Sequence, residues 1–242
     1  MVTPRAGPIS DVRRATVLAM NETVRVSHDS GYPPFAEIKD GKSEGLAVDI
    51  LRAAAARAGV DMIFVPVPFE QRQLSLEDGR ADAYFPLSIT RERLQLFDFS
   101  DVLIVTGGSL FVRASDVPPE NLATLAGKIV VTPRTGPIAT FIERSAPKVK
   151  LVVTTDYEES LGRLVRGQAS AAALGYDVGS RIADRLYPGQ VLRSPSTFLE
   201  LPLAVAVLKG KHVDLVARLN AGIAATRADG TWQQINDYWQ GK

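Results

Sequence analysis

The first third of the chain alternates between two hydrophobic periods. Residues 24–26 alternate apolar and polar side chains, as a half-buried strand does. Residues 46–58 bring Ile50, Leu51 and Ala54 to one face of a helix, and the glycine that follows favours a stop. The pattern predicts strands over 24–26, 62–67 and 81–87, and helices over 46–58 and 73–77.

A second set of units begins after the polar, proline-containing stretch 113–121. Pro137 stands where a helix favours proline, at its first position, and Asp156 can cap a helix that Gly167 stops. The pattern predicts strands over 128–132, 150–154, 169–174 and 201–208, and helices over 137–144, from the Asp156 cap to Arg166, over 213–227 and from Thr231. Strands that alternate with helices predict an α/β fold with a largely parallel sheet.

The composition of the chain mainly excludes classes of function and kinds of site. The chain has 242 residues, of which 45% are apolar and 23% charged, and its formal net charge of +1 leaves no basic stripe for nucleic acid. The absence of cysteine excludes thiol catalysis, disulfides and cysteine-based metal sites. The only two histidines, His28 and His212, lie far apart, so we expect no zinc site.

No segment of the sequence is long and apolar enough to span a bilayer, and residues 1–20 lack the pattern of a signal peptide. We therefore expect either a cytoplasmic protein or a protein whose leader has been removed.

Several local motifs follow one another along residues 22–241. They are Asp29-Ser30-Gly31-Tyr32-Pro33-Pro34-Phe35, Gly45-Leu46-Ala47-Val48-Asp49-Ile50, Gly79-Arg80-Ala81-Asp82-Ala83, Ser88-Ile89-Thr90-Arg91-Glu92-Arg93, Phe97-Asp98-Phe99-Ser100, residues 122–128, and the ending from Ala228 to Trp239. Each motif is weak alone, but their order is specific. Together they resemble the family 3 solute-binding proteins, the receptors of polar amino-acid uptake systems of the ABC type.

The resemblance implies two α/β lobes that are joined by two crossing strands and close like a hinge around a ligand. The implied first lobe covers residues 22–108 and 203–242, the second covers 109–202, and residues 1–21 form an irregular N-terminal segment. The crossings would lie near Gly107-Gly108 and near Leu201-Pro202. Ligands of open α/β sheets bind at the carboxyl ends of strands.

The resemblance also implies a carboxylate subsite in the first lobe. Arg93 is in register with the family arginine that forms a bidentate pair with the ligand carboxylate, a task that suits the planar guanidinium. Ser88 stands where the family has a Thr or Ser that donates to the same group, although a strand-end hydroxyl bonded to backbone is nearly as good an interpretation. Pro86 replaces a small residue, and its carbonyl can still accept a ligand bond.

Three further positions of the first lobe match the family site. Tyr32 and Phe69 match aromatic residues that enclose the aliphatic part of the ligand, although Phe69 could equally be a core residue. Asp29 matches an acidic position that can receive a ligand amine, directly or through Ser30, and its alternative role is a turn cap.

In the second lobe, Arg134, Thr135 and Gly136 precede the helix that begins at Pro137, where backbone N–H groups bind anions. Gly175 departs from the family pattern, because amino-acid-binding members carry an Asp there that accepts the ligand ammonium. Either Asp177 has taken over that role, or the ligand has no standard α-amine.

The sequence therefore predicts a binding protein for a small carboxylate, an amino acid or a related compound, with a membrane ABC permease as partner. We expect a periplasmic monomer without a metal, a cofactor or bound nucleic acid. A sensor domain of a signalling protein is the alternative. A cyclohexadienyl-dehydratase-like enzyme is less favoured. The catalytic Glu and Asn of those relatives would fall near Val178 and Gly136, so both catalytic roles are empty in this sequence.

Overall fold

The computed structural model describes residues 23–134 and 136–241. The predicted N-terminal segment 1–21 lies outside the described residues, as do Glu22, Thr135 and Lys242. The described part of the chain forms the strands β1 (Val24–Asp29), β2 (Gly31–Tyr32), β3 (Ala36–Lys39), β4 (Lys42–Glu44), β5 (Met62–Val67), β6 (Ala83–Ser88), β7 (Phe97–Phe99), β8 (Ile104–Arg113), β9 (Ile129–Pro133), β10 (Lys150–Thr154), β11 (Ala171–Gly175) and β12 (Val191–Leu208).

Helices separate some of these strands and follow the last one. The helix α4 (Tyr157–Val165) begins where the sequence predicts, because the Asp156 carboxylate accepts a hydrogen bond of 2.8 Å from the Glu159 N–H and so caps the first turn. The helices are α1 (Leu46–Arg57), α2 (Arg72–Glu77), α3 (Pro137–Ser145), α4 (Tyr157–Val165), α5 (Tyr176–Leu186), α6 (Val213–Ala228) and α7 (Thr231–Gln240). None of them, within the described residues, has both the length and the apolar composition of a membrane span.

One large mixed sheet organises the molecule, in the order β10-β9-β11-β8-β12-β6-β1-β5, with β7 paired to β12. The outer pairs β10–β9, β9–β11, β6–β1 and β1–β5 are parallel, whereas the central strands β8 and β12 run antiparallel to their neighbours. We call the side with β1, β5 and β6 the first lobe and the side with β9, β10 and β11 the second lobe. The α/β, two-lobed class is confirmed, while the residue bounds of the lobes stay a prediction.

The strands β8 and β12 connect the lobes and are longer than the hydrophobic pattern indicates. The predicted strand 201–208 is only the end of β12, and β8 and α5 were not predicted from periodicity. The register pairs Glu200 with Gly107 and Leu199 with Gly108. A Cβ atom on Gly107 would lie 2.7 Å from the Leu199 carbonyl oxygen. The two crossing strands therefore approach each other more closely than a residue with a side chain at position 107 would permit.

Candidate functional site

A cavity of about 90 Å³ lies between the lobes, enough for several water-sized groups. Four strand ends meet there, and each contributes its last residue to the lining: Asp29 of β1, Ser88 of β6, Pro133 of β9 and Gly175 of β11. The carboxyl ends of strands in both lobes therefore face one another, as expected for a ligand cleft in an open α/β sheet.

Arg93 supplies a cation to the first-lobe wall of this cavity. It begins a 3₁₀ turn soon after β6, and its Nη1 donates to the Ser88 carbonyl at 2.9 Å and also to the Ser88 hydroxyl. Burial, helped by the neighbouring charge of Arg72, lowers the pKa of Arg93 to about 10. Arg93 forms no ion pair with a carboxylate of the described residues. A ligand carboxylate would supply that charge.

Asp29 and Arg134 form an ion pair across the cavity. Arg134 Nη1 lies 2.8 Å from Asp29 Oδ2, and the side chains of Arg134 and Asp29 are 22% and 7% exposed. Asp29 Oδ1 also accepts a hydrogen bond of 3.0 Å from the Gly31 N–H. Arg134 has a left-handed backbone, with φ of 60°, and its Nε is buried without a hydrogen-bond partner in the described part of the chain.

Phe69 lies between two guanidinium groups. The Arg134 carbon Cζ is 4.2 Å from the ring centroid, and the Arg72 Cζ is 4.1 Å from it. Both distances are within the range of cation–π attraction. Phe69 thus positions Arg134 at the cavity as well as contributing an aromatic wall.

Three tyrosines complete the lining: Tyr32, Tyr84 and Tyr157. Burial raises the pKa of Tyr32 to about 12 and also raises the pKa values of Tyr84 and Tyr157 above their ordinary range. All three phenols are therefore neutral at physiological pH, and each can donate or accept a hydrogen bond.

Residues 24–242 match the model of the bacterial extracellular solute-binding proteins, family 3. The chain belongs to this family. The match covers both lobes and confirms the resemblance that the motifs indicate.

Among relatives of this family 3 protein is the ABC transporter glutamine-binding protein of Bacillus subtilis strain 168, 28% identical over 82% of this chain and 73% of the relative. An ancestral arginine-binding protein bound to glutamine has the same fold, with a TM-score of 0.79 and 26% identity over 91% of this chain and 98% of that one. A histidine kinase sensor domain with similarity to periplasmic binding proteins has a TM-score of 0.83 and 26% identity over 91% and 97% of the two chains.

Most of the residues predicted from the family motifs lie together. The cavity lining includes Arg93, Ser88, Pro86, Tyr32, Phe69, Asp29, Arg134, Gly136 and Gly175. Asp177 does not line the cavity, and its Oδ2 accepts a hydrogen bond of 2.5 Å from the Thr106 hydroxyl. Thr135 lies outside the described residues. What each of these residues binds stays a prediction.

Tyr157 accounts for the departure at Gly175. A Cβ atom on Gly175 would lie 2.9 Å from the Tyr157 hydroxyl oxygen, so the phenol occupies the space that a side chain at position 175 would take. Where amino-acid-binding members of the family carry an acid, this chain presents a neutral hydroxyl. Asp29 does not replace that acid freely, because Arg134 already holds its carboxylate.

Sequence reasoning missed Tyr84, Tyr157 and the support from Arg72. Tyr84 is four residues before Ser88 on β6, and the even spacing of a strand could have placed both on one face. Tyr157 gave no comparable signal, because its meeting with Gly175 depends on how α4 packs beside β11. Arg72 lies just beyond Phe69, but only the fold shows that its guanidinium stacks on that ring.

Proposed function

We propose that this family 3 protein works in the periplasm, where it captures a small carboxylate-bearing solute between its lobes. It then delivers the solute to a membrane ABC permease. The observation that carries the proposal is Arg93, a half-buried guanidinium at the cavity wall that pairs with no carboxylate of the described residues. A planar guanidinium with free donors recognises a carboxylate through two parallel hydrogen bonds.

The aromatic wall strengthens such an ion pair. Tyr32, Phe69 and Tyr84 give the cavity an aromatic lining of low polarity, and attraction between opposite charges increases as the local dielectric constant falls. Gly136 and the start of α3 face the same cavity from the second lobe, so a bound anion would contact both lobes at once. Contact with both lobes is what stabilises the closed form of a hinged binding protein.

The proposal assigns binding and not catalysis to the cavity. A dehydratase would need a general acid there, but Val178, near which the dehydratase Glu would fall, is apolar and buried, and Asp29, which lines the cavity, is held in an ion pair. A sensor domain is the second candidate, supported by the similarity to the histidine kinase sensor domain. A complete gene that encodes a membrane span and a kinase after α7 would favour the sensor.

A thermal-shift screen of amino acids, dicarboxylates, 2-oxo acids and opines tests the proposal. A ligand at 100 times its Kd stabilises the protein by about 2.7 kcal/mol, which corresponds to a melting shift of about 5–10 °C for a chain of this size. The same ligand should give no shift with Arg93→Ala. Arg91→Ala is the matched control, because Arg91 is exposed two residues away. An equal shift in wild type and Arg93→Ala would contradict the proposal.

A further inference from the structure

The charges around the cavity do not suit a zwitterion. Asp29 is the one acidic residue that lines the cavity in the described part of the chain, and Arg134 already neutralises it at 2.8 Å. Asp177 lies apart and binds the Thr106 hydroxyl. Arg93 remains as an uncompensated cation, and Arg72 adds positive charge behind Phe69. One ligand carboxylate therefore balances Arg93, and Arg72 keeps the surrounding field positive.

An α-amino acid would bring an ammonium group into the same positive field. A buried ammonium needs a carboxylate partner, because desolvation alone strongly disfavours it. To obtain one, the ligand would have to compete with Arg134 for Asp29, which would leave Arg134 buried without its counterion. The site thus opposes the amine even though it is complete for the carboxylate.

The Tyr157 hydroxyl and the Arg134 Nε–H instead offer hydrogen bonds to an oxygen atom of the ligand. The Tyr157 hydroxyl lies where a side chain at Gly175 would be, and it can donate to a carbonyl or a hydroxyl. The Arg134 Nε–H is buried without a hydrogen-bond partner among the described residues, and its charge is already balanced by Asp29. A buried donor of this kind favours an acceptor oxygen on the ligand.

We infer that the cavity selects carboxylic acids that carry an oxygen in place of the α-amine, namely 2-oxo or 2-hydroxy acids, and that Tyr157 determines this specificity. The inference rests on the proposed function, because it takes Arg93 as the carboxylate partner. It identifies the class of ligand and adds a specificity residue at which the family motifs give no signal.

Calorimetric titration with matched sets tests the inference. Alanine, leucine, phenylalanine and glutamate are each compared with their 2-oxo and 2-hydroxy counterparts, on wild type, Arg93→Ala and the control Arg91→Ala. We expect an amine-free acid of at least one set to bind at least about tenfold more tightly than its amino acid, a difference of about 1.4 kcal/mol. Arg93→Ala should abolish that binding, and Arg91→Ala should preserve it.

The titrations distinguish a failure of the ligand-class inference from a failure of the proposed function. If ligands bind only when Arg93 is present, and in no set does an amine-free acid bind about tenfold more tightly than its amino acid, the inference is overturned and the proposed function stands. Binding that survives Arg93→Ala, or no binding by any compound, contradicts the proposed function and the inference with it.

Variants at Tyr157 test its role separately. Tyr157→Phe removes only the hydroxyl and should weaken the amine-free acid by about tenfold or more, while circular dichroism reports an unchanged fold. The double variant Tyr157→Ala with Gly175→Asp makes room for an acid and supplies it, so the preference should shift toward the amino acid relative to Tyr157→Ala alone. An unchanged preference in both Tyr157→Phe and the double variant would overturn the assignment of Tyr157.

Discussion

The Arg134 guanidinium lies 2.8 Å from the Asp29 carboxylate, and the two residues belong to opposite lobes. A second lobe-crossing pair, Glu92 with Arg144, has an N–O distance of 3.1 Å but is largely exposed, at 55% and 71% of the two side chains. Solvent-exposed ion pairs contribute little, whereas breaking a buried pair leaves an uncompensated charge. The Asp29–Arg134 pair is therefore the stronger lobe contact of the two.

Arg134→Ala should favour the open arrangement of the lobes. The substitution removes both the ion pair with Asp29 and the stacking on Phe69. Small-angle scattering of the ligand-free variant should give a larger radius of gyration than that of wild type. Arg144→Ala serves as the control, since it removes the exposed pair and should leave the radius unchanged. Identical profiles for Arg134→Ala and wild type would argue against a lobe-closing role for this pair.

Gly107→Ala should destabilise the connection between the lobes. The added Cβ would lie 2.7 Å from the Leu199 carbonyl oxygen, so the backbone of β8 or β12 must move. Overpacking of this kind costs about 1–3 kcal/mol, which lowers the melting temperature by about 2–12 °C in a chain of this size. Gly136→Ala is the matched control, because its Cβ meets no atom within 4 Å. A melting temperature for Gly107→Ala equal to that of the control would show that the crossing strands accommodate the added methyl group.

His28 should make stability depend on pH. Its Nδ1 lies 2.8 Å from the Asp29 carbonyl oxygen, an acceptor, so the neutral ring carries its proton on Nδ1, and its Nε2 contacts the Ser43 hydroxyl at 2.7 Å. Burial lowers the pKa of His28 below its ordinary value of 6.5, although the nearby Asp29 charge opposes the shift. Between the two pKa values the unfolded chain binds more protons, so the free energy of unfolding is largest above pH 6.5 and falls as the pH decreases.

Thermal melts of wild type and His28→Gln across pH 5 to 8 measure this contribution. Glutamine retains hydrogen-bonding groups but does not titrate, so the variant should lose less stability on acidification than wild type does. Parallel curves for the two proteins would mean that His28 does not contribute to the pH dependence.

The sequence predicted those parts of the fold in which one period dominates. Residues 62–67 and 150–154 form strands with the predicted bounds, because each is a largely apolar run that turn-forming residues delimit. The strand β8 was missed because Thr106, Gly107, Gly108 and Ser109 interrupt its apolar run, although they are buried between two neighbouring strands.

Much of the cavity was also accessible from sequence, whereas its charge pairing was not. Arg93 and Ser88 are five residues apart in one motif, so their proximity follows from local structure. Asp29 and Arg134 are 105 residues apart, and their ion pair depends on how closely the lobes approach. The Tyr157–Gly175 contact likewise requires the packing of α4 on the second lobe. Both contacts favour the amine-free alternative, which the absence of an Asp at Gly175 had left open.

Arg93→Lys should recover little of the affinity that Arg93→Ala loses. A lysine supplies the charge but cannot reproduce the planar fork or bind a carboxylate with two parallel hydrogen bonds. Truncation of one partner of a buried charge pair costs about 2–5 kcal/mol, which is roughly 30-fold to several thousand-fold in Kd. Titration calorimetry with the tightest ligand measures both variants, and a near-wild-type Kd for Arg93→Lys would mean that a point charge suffices.

A crystal structure of the protein with its tightest ligand tests the central claim most directly. We expect both carboxylate oxygens of the ligand to lie about 2.7–2.9 Å from the Arg93 guanidinium nitrogens, with the lobes closed around it. A ligand bound elsewhere, or a carboxylate that contacts other residues while Arg93 stays unpaired, would contradict the account.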